Sequence, residues 1–371
     1  MTMAPVLDGS TNDSMVRRVK AGRFLSILYR IGVEARLKAY RKEIFRSRSL
    51  PAFVLSVGNL SVGGTGKTPA VAAIAQWAFE EGYRVCILSR GYKGRYKTPV
   101  LEVSDGFQLK AGPRESGDEP YLLAKRLAGV PVVVSRKRYV GGMFAREHYG
   151  SDFFILDDGF QHLELARDLN LVLMDGLRPF GNGHVLPAGP LREPVRGLNR
   201  ADAFLLTRCE QGGQVERTRA HLKERFGEKP VYVSNHVPEK VVFPASGEFF
   251  DPADLKGKRV LAFAGIARPE VFEKELIALG AEPVIFKALK DHHQFEEREL
   301  VALIRAAGER NLDCVLTTEK DWVRLEGMRP SYPFLGYLSV RLSIMDDREV
   351  FFDMIRGKVR GRKASGPRPH F

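Results

Sequence analysis

From Ala52 onward, short apolar runs alternate with helix-length amphipathic stretches: AFVLSVG, RVCILS, VPVVVS, DFFILDD, LNLVLMD, ADAFLLT, KPVYVSN, RVLAFAG, EPVIFKA and LDCVLTT. This alternation predicts βα units and a mostly parallel sheet, so the fold class is α/β. The stretch VYVSNHVPEKVVFPASGEFFDPADLKGK is rich in Pro, Gly and charge and holds two strand-like pieces, which predicts a ribbon-like linker. The chain therefore divides into a larger domain over 49–230, a linker over 231–257 and a second, smaller α/β domain over 258–355. The basic tail over 356–371, RGKVRGRKASGPRPHF, is expected to be disordered.

Ahead of the first strand, residues 1–48 form a basic segment that is helical in pattern from Val16 to Phe45. Its apolar residues fall into two stripes, Phe24, Leu28, Ile31 and Ala35, then Val33, Leu37, Tyr40 and Ile44. At about 100° per residue, Phe24 and Val33 point in opposite directions. Either the helix breaks near Gly32, or its two parts meet different apolar partners.

The strand AFVLSVGNL leads into Ser61-Val62-Gly63-Gly64-Thr65-Gly66-Lys67-Thr68 and then the apolar helix PAVAAIAQWAF. Strand, glycine-rich turn and helix make a Walker A loop, in which free helix N–H groups meet a phosphate. In that reading Lys67 charges the β/γ oxygens and the Thr68 hydroxyl binds Mg²⁺. The first consensus glycine is Ser61 here, while GTGKT is intact. The partner acid should end a buried strand, and Phe153-Phe154-Ile155-Leu156-Asp157-Asp158 fits, with Asp175 as second choice. Adjacent carboxylates repel, and a cation removes the conflict.

Composition narrows the class. The chain has 371 residues, 44% hydrophobic and 28% charged, and no apolar run reaches the roughly 18 residues of a spanning helix. The start MTMAPVLDGSTNDSMVRR lacks a signal-like apolar core, so the protein is expected in the cytoplasm. Cys86, Cys209 and Cys314 lie in or beside apolar runs without paired spacing and read as core thiols. The net charge of +13 favours an anionic partner, and eleven Lys or Arg between Ser14 and Arg48 face only Glu34 and Glu43. The stripe FLSILYRI, flanked by arginines, suits an anionic bilayer surface; the alternative is core packing with a solvated basic face.

Among basic P-loop proteins, membrane-positioning ATPases carry a second lysine where this chain has Val62, and nucleic-acid motors want basic residues interleaved with aromatics. Neither pattern is present, so no nucleic-acid partner is expected; the third kind, a kinase of a small or lipid substrate, asks for a hydroxyl acceptor site with a base near the γ-phosphate. Loops at the strand ends carry Ser89-Arg90-Gly91-Tyr92, Gly117-Asp118-Glu119-Pro120, Asp157-Asp158-Gly159-Phe160-Gln161-His162, Gly181-Asn182-Gly183-His184, Gly189-Pro190-Leu191-Arg192-Glu193-Pro194, Asp291-His292-His293-Gln294-Phe295 and Thr317-Thr318-Glu319-Lys320-Asp321. Together with SVGGTGKTP these resemble the tetraacyldisaccharide 4'-kinase family, the lipid A 4'-kinases of Gram-negative bacteria. The likeness runs in order from about residue 20 to 345, leaving the first dozen residues and the basic tail outside it.

The resemblance implies a two-lobed P-loop kinase that uses ATP and Mg²⁺. It would phosphorylate the 4'-hydroxyl of an acylated disaccharide 1-phosphate, as a peripheral monomer at the cytoplasmic face of the inner membrane. It maps Asp118 as the base and His292 as its partner, with His293 as runner-up and Lys67 on the phosphates. ATP would contact Ser61 to Thr68, Glu319 and Lys320; Thr68, Asp157 and Asp158 would face the metal. Arg90, Gln161, His162, Asn182 and Arg192 would contact substrate. Two residues have competing local readings: Asp118 as a helix cap and Thr318-Glu319-Lys320-Asp321 as a cap with first-turn acids. The rival function is a nucleotide-switched membrane-binding ATPase that transfers nothing.

Overall fold

The computed structural model describes residues 10–209, 214–328 and 330–365. The first nine residues and 366–371 of the expected tail lie outside the described set, as do the side chains of Arg17, Arg18 and Lys20. In chain order the elements are α1 (Ser10–Arg41), β1 (Phe53–Asn59), α2 (Lys67–Glu80), β2 (Val85–Ser89), β3 (Leu101–Ser104), α3 (Pro113–Ser116), α4 (Asp118–Arg126), β4 (Val132–Val134), α5 (Arg138–Tyr149), β5 (Phe153–Asp157), β6 (Leu169–Asp175) and β7 (Ala203–Thr207). There follow α6 (Gln214–Phe226), β8 (Val231–Phe243), β9 (Glu248–Phe250), β10 (Arg259–Ala264), α7 (Pro269–Ala278), β11 (Glu282–Ala288), α8 (Glu297–Glu309), β12 (Cys314–Thr318), α9 (Glu319–Glu326), β13 (Leu335–Ile344) and α10 (Arg348–Ser365).

One sheet runs through the molecule in the order β11-β10-β12-β13-β8-β7-β6-β1-β5-β2-β4-β3, with β9 on β8. Each of the ten apolar runs becomes a strand, and pairing is parallel except at β3–β4, β13–β8 and β8–β9. β1 and β5 are buried along their whole lengths, as parallel strands covered by helices on both faces must be. The larger lobe packs around β1 to β7, and a smaller lobe with its own cores packs around β10, β12 and β13.

Two expectations change. The expected ribbon-like linker over 231–257 does hold two antiparallel strands, β8 and β9, but β8 also pairs with β7 at its start and with β13 from Ser234 to Val242, joining the lobes in one sheet. Pro238 sits beside the register shift between Ser339 and Val340, where a missing N–H is tolerated. The tail is helical to Ser365 rather than disordered from 356, because α10 buries Phe351, Phe352, Ile355 and Val359 against the larger lobe. Phe352 stacks on Trp77 at 4.6 Å. Each such side chain stabilises by roughly 1.5–3 kcal/mol when fully buried. The basic residues of this helix meet acids of the larger lobe, Arg356 on Glu81 at 2.7 Å and Lys358 on Asp202 at 3.2 Å.

α1 continues through Gly32 without a break, and its two stripes do face differently. Tyr40 is buried with Val33 and Leu37 half-buried, whereas Phe24, Leu28 and Ile31 stay exposed. Ser26 Oγ donates to Val185 O at 2.8 Å and Tyr29 Oη to Arg192 O at 2.8 Å, fixing the helix to the larger lobe. Ile44 lies past the helix end and is exposed. All three cysteines are buried thiols.

Candidate active site

The site grows from the carboxyl end of the central strand β1, where strand order switches sides. Its last residue, Asn59, is fully buried and organises the loop that follows. Asn59 Nδ2 donates to Ser61 O and Thr65 Oγ1, both at 2.7 Å, and Oδ1 accepts from Lys67 Nζ at 3.2 Å. Gly66 turns the chain at φ 78°, and a Cβ there would stand 2.2 Å from His236 Nε2, so only glycine suits both the dihedral and the space. α2 starts at Lys67, leaving its first-turn N–H groups at the loop. Residues Val62 to Thr68 line a cleft of about 1280 Å³ between the lobes; Ser61, an expected ATP contact, is not part of the lining and instead bridges to Leu191.

Asp157 ends β5 beside this loop, buried, with Oδ2 accepting from Ser89 Oγ at 3.0 Å. Burial, then the neighbouring Glu119 and Asp158 carboxylates, push its carboxyl well above the usual range. Asp158 turns the other way at φ 52°. Its Oδ1 lies 3.4 Å from Lys67 Nζ and its Oδ2 accepts from Arg192 Nη1 at 2.6 Å. Burial would raise this second carboxyl, yet Lys67 and Arg192 outweigh it and hold it low.

Asp157 Oδ1 is buried without a hydrogen-bond donor among the described residues, while Asp158 Oδ1 has the Lys67 ammonium as its neighbour. A buried carboxylate oxygen without a donor, a second carboxylate next to it and a Thr68 hydroxyl lining the same cleft are hard oxygen groups whose chemistry fits Mg²⁺. No group of three or more His, Cys, Asp or Glu that could hold a metal ion gathers among the described residues.

Across the cleft, the smaller lobe brings in His292 at φ 60°, its N–H on Gly265 O at 3.0 Å. His292 Nδ1 lies 3.2 Å from Asp118 Oδ2. Asp118 is the first residue of α4, but Gly117 holds the capping position, so the Asp118 carboxylate turns to the other lobe instead of capping its own helix. Gly117 has φ 91°, and a Cβ on it would stand 2.5 Å from Tyr92 O. Burial would raise the Asp118 carboxyl; the His292 hydrogen bond and the Arg324 charge overcome this and lower it to about 2. His293 turns away, with Nε2 on Glu299 Oε2 at 2.6 Å.

Glu319 and Lys320 line the cleft, and both heads are engaged with α4: Glu319 with Arg126 at 2.6 Å and Lys320 with Glu119 at 2.8 Å. Thr318 caps α9, its Oγ1 accepting from Asp321 N at 3.1 Å. Beyond Asp158 the wall carries Arg90, Arg138, Gln161, His162 and Arg192. Gln161 Nε2 donates to Asn59 O at 3.0 Å and Glu193 Oε1 at 2.9 Å. Burial, then Arg138 and the arginines behind it, push His162 down to about 3. Asn182 is not part of the lining: its side chain closes its own loop, on Ala188 O at 2.9 Å and His184 N at 3.1 Å.

The profile of the family described as "LpxK: Tetraacyldisaccharide-1-P 4'-kinase" matches residues 21–360. The chain belongs to the tetraacyldisaccharide 4'-kinase family. It is 43% identical over 331 residues to the tetraacyldisaccharide 4'-kinase of Syntrophus aciditrophicus, covering 86% of this chain and 87% of that relative. Identity to that of Anaeromyxobacter sp. (strain Fw109-5) is 44% over 310 residues, 83% of each. Among solved structures, the "apo" form of LpxK from Aquifex aeolicus in complex with ATP superposes with a TM-score of 0.70 at 35% identity. It covers 90% of this chain and 96% of that one.

Membership in the tetraacyldisaccharide 4'-kinase family accounts for the ordered motifs, yet several cleft residues escape sequence reasoning. Arg138, at the start of α5, is only 4% exposed, and burial lowers its guanidinium to about 10, with Asp157 opposing and Arg90 adding to the fall. Arg208 follows β7 and donates to Gly64 O, while Arg268 from the smaller lobe holds Asp175 Oδ2 at 3.0 Å. That ion pair gives Asp175, the second-choice acid, a partner across the cleft. The available signal was position: each arginine follows or opens an element at a strand's carboxyl end.

Proposed function

We propose that the chain transfers the γ-phosphoryl group of ATP to the 4'-hydroxyl of a tetraacylated glucosamine disaccharide 1-phosphate. The observation that carries this reading is the meeting of Asp118 and His292, one from each lobe, beside a cleft that opens onto the P-loop. The loop N–H groups from Gly63 to Thr68 wrap the phosphates, and Lys67 moves from Asp158 to the β/γ oxygens. Thr68, Asp157 and Asp158 would hold Mg²⁺, which supplies charge neutralisation between the phosphates when bound.

The sugar oxygen bonds to the γ-phosphorus as the bond to the β,γ-bridging oxygen breaks, and ADP leaves with that electron pair. Asp118 takes the hydroxyl proton, and His292 orients the carboxylate and passes the proton on. Arg90, Arg192, Gln161 and His162 face the acceptor sugar and its phosphate, since guanidinium matches phosphate geometry. A nucleotide switch would have no use for the Asp118–His292 pair.

Four acyl chains keep such a substrate in a bilayer, so the enzyme works peripherally, at the cytoplasmic face of the inner membrane. The exposed face of Phe24, Leu28 and Ile31, with Arg23 and Arg30 beside it, suits an anionic surface. No helix among the described residues is long and apolar enough to cross a membrane. The test is γ-labelled ATP incubated with the disaccharide 1-phosphate in mixed micelles. Label in the lipid phase supports the kinase; label released only as inorganic phosphate returns the reading to a switch.

A further inference from the structure

We propose that Arg324 is a positioning residue that reaches from the smaller lobe to hold the Asp118 carboxylate across the cleft. This rests on the kinase reading above. Arg324 is almost fully buried, at 3% side-chain exposure, and each face of its guanidinium fork is engaged. Nε donates to Asp118 Oδ2 at 2.7 Å; Nη1 donates to Asp321 Oδ1 at 2.7 Å and to Gly265 O at 3.0 Å; Nη2 stands 3.4 Å from His292 Nδ1.

The anchor behind it is rigid. Asp321 is fully buried, and its Oδ2 accepts from Gly265 N at 3.0 Å and Thr318 Oγ1 at 2.7 Å. Gly265 O also accepts the His292 N–H at 3.0 Å, so one backbone turn fixes both Arg324 and His292. The smaller lobe thus presents the Arg324 guanidinium and the His292 imidazole together to a carboxylate carried by the other lobe. Both contacts fall on Oδ2 of the carboxylate. A guanidinium suits this task because three donors in one plane can join two carboxylates and a carbonyl at once.

The charged groups around Asp118 are His292 from the loop after β11, Arg324 with Asp321 behind it on α9, and the Glu119–Lys320 pair beside it. Tyr92 lies edge-on to His292. Removing Arg324 takes away the guanidinium in direct contact with Asp118, so its carboxyl would protonate at higher pH and lose its fixed rotamer.

The experiment compares the full chain with Arg324→Gln, Arg324→Lys and the double variant Asp321→Asn/Arg324→Gln, which leaves no unpaired buried carboxylate if the single change fails to fold. Carbon-labelled Asp side chains report the Asp118 titration by NMR, its resonance identified by loss in Asp118→Asn. The Gln variants should titrate Asp118 at higher pH and lower kcat about tenfold to a hundredfold with KM for ATP within about twofold; Arg324→Lys should restore both. An unchanged Asp118 titration, or a kcat loss matched by loss of ATP affinity, overturns the proposal. Absence of transfer by the wild type overturns the kinase reading instead, and the carboxyl titration still decides whether Arg324 holds Asp118.

Discussion

Lys67 Nζ lies 3.4 Å from Oδ1 of Asp158, and the Lys67 side chain is only 10% exposed. The ammonium is thus stored against a carboxylate at the mouth of its own loop, with Asn59 Oδ1 as its second partner. An entering triphosphate offers more negative charge than either. Lys67→Ala should therefore reduce phosphoryl transfer to background while the protein keeps its melting temperature. Normal turnover in a folded Lys67→Ala protein would remove the P-loop from the mechanism.

Asp157 carries a raised pKa because it is buried and faces Glu119 and Asp158. A raised carboxylate pKa means that the proton is held as pH falls toward neutrality, and a bound cation must displace it. Mg²⁺ activation should strengthen as pH rises from about 6 to about 8.5, and raising Mg²⁺ should move the acid limb of the rate profile to lower pH. Rate profiles at several Mg²⁺ concentrations check this; an acid limb that ignores Mg²⁺ would count against these carboxylates as ligands.

Gly66 meets His236 at the loop's inner wall, and burial pushes the His236 imidazole down to about 4, so it packs there uncharged near neutral pH. Gly66→Ala should weaken ATP binding by displacing the loop. Adding His236→Ala should recover part of that loss, because the clash disappears while a left-handed alanine still costs roughly 1–2 kcal/mol. Calorimetric ATP affinities decide it; equal affinity in Gly66→Ala and the wild type would show that the loop shape is irrelevant to binding.

The ten apolar runs were legible as strands because parallel strands buried on both faces must be apolar throughout. β13 was missed: LGYLSVRLSI alternates, as a strand with one wetter face does, and its partner β8 is distant in sequence. β8 looked like a linker because Pro238 and its charges mark an irregular register, not a loop. In the tail, the count of basic residues hid an apolar stripe from Phe351 to Val359 whose cations are neutralised by acids far away in sequence. Of the residues named from contiguous motifs, most line the cleft, but Asn182 closes its own loop instead. Arg324 was not legible, since its importance comes from three partners on separate elements.

Phe24, Leu28 and Ile31 lie on one exposed face of α1, while Ser26 and Tyr29 fasten the opposite side. Changing all three apolar residues to Ser should leave thermal stability and ATP affinity as they are, because none of them is buried. Transfer to substrate presented in anionic vesicles should fall about tenfold or more relative to detergent-dispersed substrate. Parallel loss in both presentations would make this face part of the fold.

In the proposed mechanism Asp118, held across the cleft by His292, serves the chemical step and not nucleotide binding. Asp118→Asn keeps the shape of the side chain and removes its basicity, so the decisive measurement pairs calorimetric ATP affinity with the rate of label transfer to the disaccharide. ATP affinity should stay within about twofold of the wild type while the transfer rate falls by about two decades or more. Transfer at the wild-type rate, or a loss of ATP binding as large as the loss of transfer in a folded protein, would contradict that mechanism.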